Sequence, residues 1–174
     1  MNSSPDISVL GIQSAWGLIE VTAKDGLIAS CSLPLLKAEP SKPFVWSGLK
    51  IKASNRWDEA VLKKAAAFIK SVLSGKAAPS PSFQWPESSP FTSRVWKALL
   101  LIEPGATITY SALAKKIGRP GGARAVGRAC GANPLPLFIP CHRVLPCDGS
   151  LGGFSCGLPW KRHLLEMERI LPAL

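Results

Sequence analysis

Read for apolar and polar positions, the chain opens as strands over residues 7–12, 16–23 and 27–33. The last two are joined by Lys24-Asp25-Gly26, an Asp-Gly pair that supplies the positive φ angles of a tight hairpin. Residues 34–53 carry prolines at 34, 40 and 43 and no clear period, so they read as loop with one short strand around 44–51. Asn55 fits an N-cap with Asp58 three positions on, and Trp57, Val61, Ala65, Phe68, Ile69 and Val72 recur at helical spacing until Gly75. Residues 77–90 hold four prolines and four serines, a composition neither helix nor strand tolerates, and read as a linker. Beyond it Val95, Leu99 and Ile102, with Trp96 and Leu100, predict a helix ending at Pro104-Gly105.

Ser111 then predicts the cap of a short helix over 112–117, closed by Gly118 and Pro120, with a second helix over 122–132. Two helices joined by a few residues with Gly and Pro form a helix-turn-helix signal, which many pairs share without touching DNA. The second helix is built of small residues, among them Ala123, Gly127 and Ala129, and its only long side chains are Arg124 and Arg128. Four apart, those two arginines share one face and would need partners if buried, so a solvated, phosphate-facing surface is expected. Residues 144–153 contain Pro146, Asp148-Gly149 and Gly152-Gly153, and read as a turn-rich hairpin or wing. Pro159 opens a last helix whose stripe of Trp160, Leu164, Met167 and Leu171 turns Glu168 inward and Glu166 outward. The elements sum to an antiparallel α/β sheet domain over residues 1–85 and a mainly α domain over 90–174.

Composition narrows the partners. The 174 residues are 47% hydrophobic and 18% charged, which excludes a disordered chain. Net charge is +10, and from residue 90 on there are 11 basic against 4 acidic residues, compared with 10 and 7 before it. The basic excess suits a polyanionic partner and sits on the half with the paired helices. Five cysteines without a CxxC pair, and only His142 and His163, do not make a Cys/His zinc site, and no metal is expected. No run of 18 apolar residues and no basic, then apolar, leader is present, so a cytoplasmic or nuclear location in a reducing compartment, with no membrane partner, is expected.

The chemistry concentrates in residues 138–144, Phe-Ile-Pro-Cys-His-Arg-Val, where an apolar run delivers Cys141 beside His142 and Arg143. A thiolate is the strongest side-chain nucleophile, and neighbouring cations lower its pKa. A cysteine after an apolar run is more often a buried small hydrophobe. An ordinary core strand, however, does not place Pro, Cys, His and Arg in sequence. On an extended segment adjacent side chains point apart, so contact between His142 and Cys141 requires a sharp turn or a bridging water.

With Asn133 eight residues before the cysteine, this motif resembles the active site of the O6-alkylguanine-DNA alkyltransferases, and the resemblance runs over residues 90–168. It implies direct, irreversible, stoichiometric DNA repair, in which the alkyl group of O6-alkylguanine passes to the protein's own cysteine after the base is flipped out of the duplex. O4-alkylthymine is a second candidate lesion. By the same resemblance Cys141 is the acceptor, His142 its water-mediated base and Glu168 the carboxylate that orients His142. Asn133 is the hinge asparagine, Tyr110 the tyrosine beside the flipped nucleotide, and Arg124 the residue filling the stack, with Ala123 and Arg128 on the DNA-binding helix. Pro136, Val144, Phe154, Ser155 and Cys156 would line the guanine pocket. The implied fold is a ribonuclease-H-like sheet domain followed by a winged helix-turn-helix domain, acting as a monomer on double-stranded DNA without a cofactor. Two positions depart from the family's usual residues: Phe154 lacks a tyrosine hydroxyl and Cys156 adds bulk where glycine is common. Three other readings compete: a lesion-recognising module that does not react, a cysteine hydrolase with a Cys/His/Glu set, and a transcription regulator using only the paired helices.

Overall fold

The computed structural model of the chain describes residues 7–172. Strands β1 (Ser8–Ser14), β2 (Gly17–Lys24), β3 (Leu27–Ser32) and β4 (Trp46–Lys52) form one antiparallel sheet in the order β3-β2-β1-β4. Asp25 and Gly26 both take positive φ, 54° and 73°, at the β2–β3 turn. β4 lies at the edge with its residues exposed or half-buried, which removes the alternation that would mark it in the sequence. On the inner face Leu10, Ile12, Ile19, Val21 and Ile28 are all fully buried.

Helix α1 (Arg56–Val72) covers that face with Val61, Leu62, Ala65, Phe68 and Ile69, while Trp57, expected on its apolar stripe, stands 64% exposed. Its start is fixed by Asn55, whose side chain accepts from the N–H groups of Trp57 and Asp58 at 2.9 Å each. Asp58 is buried at the third helical position and ties three elements together. It accepts from the Gly26 N–H at 2.7 Å and the Ser8 hydroxyl at 2.8 Å, so the hairpin and β1 both hang on the first turn of α1.

The proline-rich stretch after α1 is bonded to the sheet. Around Phe83 it pairs in parallel with Ile28, whose N–H donates to Ser82 O at 3.1 Å and whose carbonyl accepts from Gln84 N at 2.8 Å. This covers the free edge of β3. The chain then enters α2 (Pro90–Leu99), capped by the Ser89 hydroxyl with Pro90 in the first turn. α2 closes one turn before the expected Pro104-Gly105, with Leu100 at its C-cap.

The paired helices are α3 (Tyr110–Lys116) and α4 (Ala123–Gly131), joined through Gly118 and Gly121 at φ 75° and 80°. Thr109, not Ser111, caps α3: its hydroxyl accepts from Ala112 N at 3.1 Å, two residues earlier than the sequence pattern suggests. The indole of Trp96 on α2 donates to Ala129 O at 2.8 Å and fixes the height of α4. Of the turn-rich hairpin or wing expected over 144–153, the hairpin is absent: a two-residue strand, β6 (Val144–Leu145), runs parallel to β5 (Ile108–Thr109) and is followed by turns. The last helix, α5 (Leu158–Met167), stops earlier than the stripe suggested: Glu168 is its C-cap and Arg169 turns to φ 59°, which takes Leu171 off the helix.

Buried side chains from both halves make one continuous core. Phe68 of α1 stacks on Phe138 at 5.2 Å, and the Trp160 indole of α5 donates to Pro34 O at 2.8 Å. The loop before α5 presses so closely on the chain after β3 that a Cβ at Gly157, φ 99°, would overlap the Leu36 carbonyl. No helix among the described residues is long and apolar enough to cross a membrane.

Candidate active site

The segment from Asn133 to Arg143 owes its shape to Asn133. This buried residue uses its oxygen and both amide hydrogens: Oδ1 accepts from Leu135 N at 3.0 Å, and Nδ2 donates to Ile139 O at 2.8 Å and to Cys141 Sγ at 3.2 Å. Pro140 then cannot continue a strand, and Arg143 N donates back to Pro140 O at 3.2 Å, so Cys141–Arg143 is a single 3-10 turn. The extended conformation expected here is thus replaced by the sharp turn, yet Cys141 and His142 still face different ways. Cys141 lines a cavity of about 460 Å³ between α4 and the loop before α5. His142 lines a different one, on the side of α1 and Glu168.

Glu168 caps α5 with its carboxylate directed at the turn. It accepts from His142 Nε2 at 3.0 Å, from Arg143 Nη2 at 2.8 Å and from the Gly105 N–H at 3.2 Å. Arg143 in turn holds Ile102 O, so one carboxylate and one guanidinium pin the 3-10 turn to the end of α2. Burial works against ionising Glu168, but the bonds from His142 and Arg143 outweigh it and hold its pKa at about 2. Burial lowers the pKa of His142 despite the facing carboxylate, so the imidazole is neutral near pH 7. An ionised carboxylate only accepts, which puts the imidazole proton on Nε2 and leaves Nδ1 a lone-pair site, buried and without a partner among the described residues.

The thiol sits at the opposite balance. Burial pushes Cys141 up to about 11, while the Asn133 amide and the cation of Lys161 pull against that rise. Lys161 is a site residue that the motif reading missed. It is fully buried, donates to Val144 O at 2.7 Å and to Gly153 O at 3.4 Å, and has no carboxylate within ion-pair distance among the described residues. Burial drops its pKa to about 8, with the nearby Cys141 and Cys130 working to keep it charged. A lysine one position after Trp160 on the inner stripe of α5 was the available signal, because a cation on a buried face needs a reason to be there.

The cavity's walls bring together Tyr110 from the start of α3, Ala123, Arg124 and Gly127 from α4, and Phe154 and Ser155 from the opposite loop. Burial pushes the Tyr110 phenol up to about 12, so it stays a hydroxyl donor. Arg124 and Arg128 are both exposed; Arg124 borders the cavity and Arg128 lies a turn beyond it. Pro136, Val144 and Cys156 are not among the lining residues. Pro136 and Val144 are buried, the latter with its carbonyl on Lys161, and Cys156 is docked toward the first half of the chain, its carbonyl accepting from Leu36 N at 3.0 Å. Cys130, on the last turn of α4, does line the cavity and was not anticipated.

Residues 90–170 match the family described as the 6-O-methylguanine DNA methyltransferase, DNA binding domain. A methylated-DNA–protein-cysteine methyltransferase of Mycobacterium bovis is 52% identical over 79 residues, 45% of this chain and 48% of the relative, so the chain spans about half the length of that protein. One from Methanosarcina acetivorans is 36% identical over 127 residues, 72% of this chain and 81% of the relative. The crystal structure of Mycobacterium tuberculosis OGT in complex with DNA superposes with a TM-score of 0.73 at 29% identity, covering 92% of this chain and 91% of that one. The Asn-amide-to-thiol contact, the His-Glu pair behind it and the helix pair in front all lie within residues 90–170, and the chain belongs to the methylated-DNA–protein-cysteine methyltransferase family.

Proposed function

We propose that this chain repairs DNA by moving the alkyl group of O6-alkylguanine, with O4-alkylthymine as a second candidate lesion, onto Sγ of Cys141. The observation that carries this reading is the sulfur of Cys141 at the wall of a cavity bordered by α4, with an amide donor aimed at it 3.2 Å away. A neutral thiol accepts only weakly from that donor, whereas a thiolate accepts strongly.

The resting pair is a neutral thiol and a neutral imidazole. His142 Nδ1 takes the thiol proton through a water, and the imidazolium that forms is held by Glu168, already ionised and bonded to Nε2. The Cys141 thiolate, facing the Asn133 amide and the Lys161 cation, attacks the alkyl carbon. The S–C bond forms, the C–O6 bond breaks with its electron pair going to guanine, and Tyr110 on the cavity wall is the hydroxyl donor offered to the departing base. The thioether is a poor leaving group, so one molecule repairs one lesion and no cofactor takes part.

The same reading gives roles to the rest. The target atom is inaccessible in a stacked base, so the nucleotide must be flipped into the cavity, and Arg124 stands at its mouth to fill the gap. Ala123 and Gly127 let α4 approach a DNA groove closely, and Arg128 adds phosphate charge. The partner is double-stranded DNA, bound by a monomer in a cytoplasmic or nuclear, reducing compartment. Residues 1–85 act as a ribonuclease-H-like unit supporting the reactive turn, and residues 90–174 as a winged helix-turn-helix unit.

Mass spectrometry of the intact protein after mixing with an O6-methylguanine duplex tests this. One added methyl group, mapped to Cys141 and absent in Cys141→Ser, is expected. Many lesions repaired per molecule, or a methyl on another cysteine, overturns the reading. Arg124→Ala should lose more repair on duplex than on single-stranded substrate, because only the duplex needs the gap filled.

A further inference from the structure

Two thiols share the reactive cavity. Cys130 ends α4 and Cys141 opens the 3-10 turn; they are 7% and 5% exposed, and both line the same space of about 460 Å³. One residue fixes them relative to each other: the Asn133 main-chain N–H donates to Cys130 O at 3.3 Å, and its side-chain amide donates to Cys141 Sγ at 3.2 Å. The cation of Lys161 acts on both thiols, pulling each pKa down against burial. The other three cysteines, Cys31, Cys147 and Cys156, do not line this cavity. Alkyl transfer as derived above uses only Cys141, which leaves Cys130 a second soft nucleophile in the pocket with no task.

We propose that Cys130 is the resolving thiol for Cys141, so that oxidation by a peroxide closes the active site reversibly as a Cys130–Cys141 disulfide. The inference rests on the reading of Cys141 as the reactive sulfur. In the first step the Cys141 thiolate attacks the peroxide, an S–O bond forms, the O–O bond breaks, and alkoxide or hydroxide leaves to give the sulfenic acid. In the second the Cys130 thiolate attacks that sulfur, the S–S bond forms, and the sulfenic oxygen leaves as water after taking a proton. Two electrons pass from the two thiols to the peroxide, and a dithiol reductant returns them. Without Cys130, a second and third peroxide carry Cys141 to the sulfinic and sulfonic acids, which thiols do not reverse. A protein that is consumed once per lesion loses its capacity permanently each time that happens.

The test uses the full chain, treated with hydrogen peroxide, blocked with iodoacetamide and mapped by mass spectrometry, with methyl transfer measured before oxidation, after it and after dithiothreitol. Wild type is expected to lose two hydrogens, to yield a linked peptide containing Cys130 and Cys141, and to lose methyl transfer and regain it on reduction. Cys130→Ser, compared with its own unoxidised rate, should lose transfer without regaining it and accumulate oxygen on Cys141. A linked peptide joining Cys141 to Cys156 or Cys147 overturns the assignment, as does wild type gaining oxygen on Cys141 as fast as the variant. Should reduced wild type transfer no methyl at all, the fault lies in the reading of Cys141, and the mapping of the oxidised wild type still decides the disulfide.

Discussion

Asn133 reaches Cys141 with the same Nδ2 that holds Ile139 O, so one amide both bends the chain and addresses the sulfur, at 2.8 and 3.2 Å. The two jobs separate by mutation. Asn133→Ala leaves Leu135 N buried without its acceptor, while Ile139 O keeps the Cys141 N–H at 2.8 Å, and one unpaired buried group costs roughly 1–3 kcal/mol, which chemical denaturation would read as a lower midpoint. It also removes a donor that favours the thiolate, so the pH at which Cys141 alkylates with iodoacetamide should rise. An unchanged pH profile in a destabilised but folded variant would restrict Asn133 to shaping the backbone.

Glu168 links the reactive turn to acid stability. Its folded pKa of about 2 lies below the ordinary carboxylate value, so the stability it contributes is present above roughly pH 4.3 and lost as pH falls through about 2. Glu168→Ala strips the half-buried Arg143 and the buried His142 of their anion, and breaking a buried pair costs about 3–5 kcal/mol. Urea titrations at pH 7 and pH 3 should therefore show a wide gap between wild type and variant that narrows at the lower pH. Equal gaps at the two pH values would mean that the carboxylate contributes nothing as an anion. Methyl transfer should fall as well, since His142 loses the group that steadies its imidazolium.

How far the residues could be read in advance follows the kind of signal each one carries. The hairpin at Asp25-Gly26 and the cap at Asn55 are local, one needing positive φ and the other an oxygen over the first helical turn, and both lie where the chain's own chemistry puts them. β4 is a solvent-facing edge strand, and its residues lack the alternation that burial imposes. The stop of α5 at Met167 was hidden because Leu171 continues the apolar period, while Arg169 at φ 59° breaks it. At the candidate site, the PCHRV run points to Cys141 and His142, and the helical stripe together with family likeness points to Glu168, which the structure places against His142 at 3.0 Å. Lys161 and Cys130 carry no motif, and their position near Cys141 depends on which helix faces meet there, a tertiary fact that spacing along the chain does not encode.

Asp58 offers a control that separates fold from site. Its carboxylate accepts from Gly26 N and Ser8 Oγ far from the cavity, and hydrogen bonds to a charged group are worth roughly 1.5–3 kcal/mol each. Asp58→Ala should lower the denaturation midpoint while the rate of methyl transfer per folded molecule stays at the wild-type value. A loss of transfer without loss of stability would reveal coupling between the sheet and the reactive turn that the hydrogen bonds do not predict.

Lys161 tests the electrostatics of the thiol most directly. Its cation is buried with two carbonyls and faces two cysteines, and its pKa of about 8 marks how reluctantly it stays charged there. Ionising Cys141 supplies the missing anion, so cation and thiolate stabilise each other, and removing one should show in the titration of the other. Lys161→Met keeps the aliphatic stem while removing the charge. The pH midpoint for Cys141 alkylation should rise, and methyl transfer at pH 7 should slow by about tenfold for each pKa unit if thiolate population limits the rate. Lys161→Arg keeps a cation and should recover the midpoint even where the larger head group disturbs Val144 O and Gly153 O. If Met and Arg shift the midpoint alike, the lysine acts by holding those two carbonyls, and its charge plays no part in activating the sulfur.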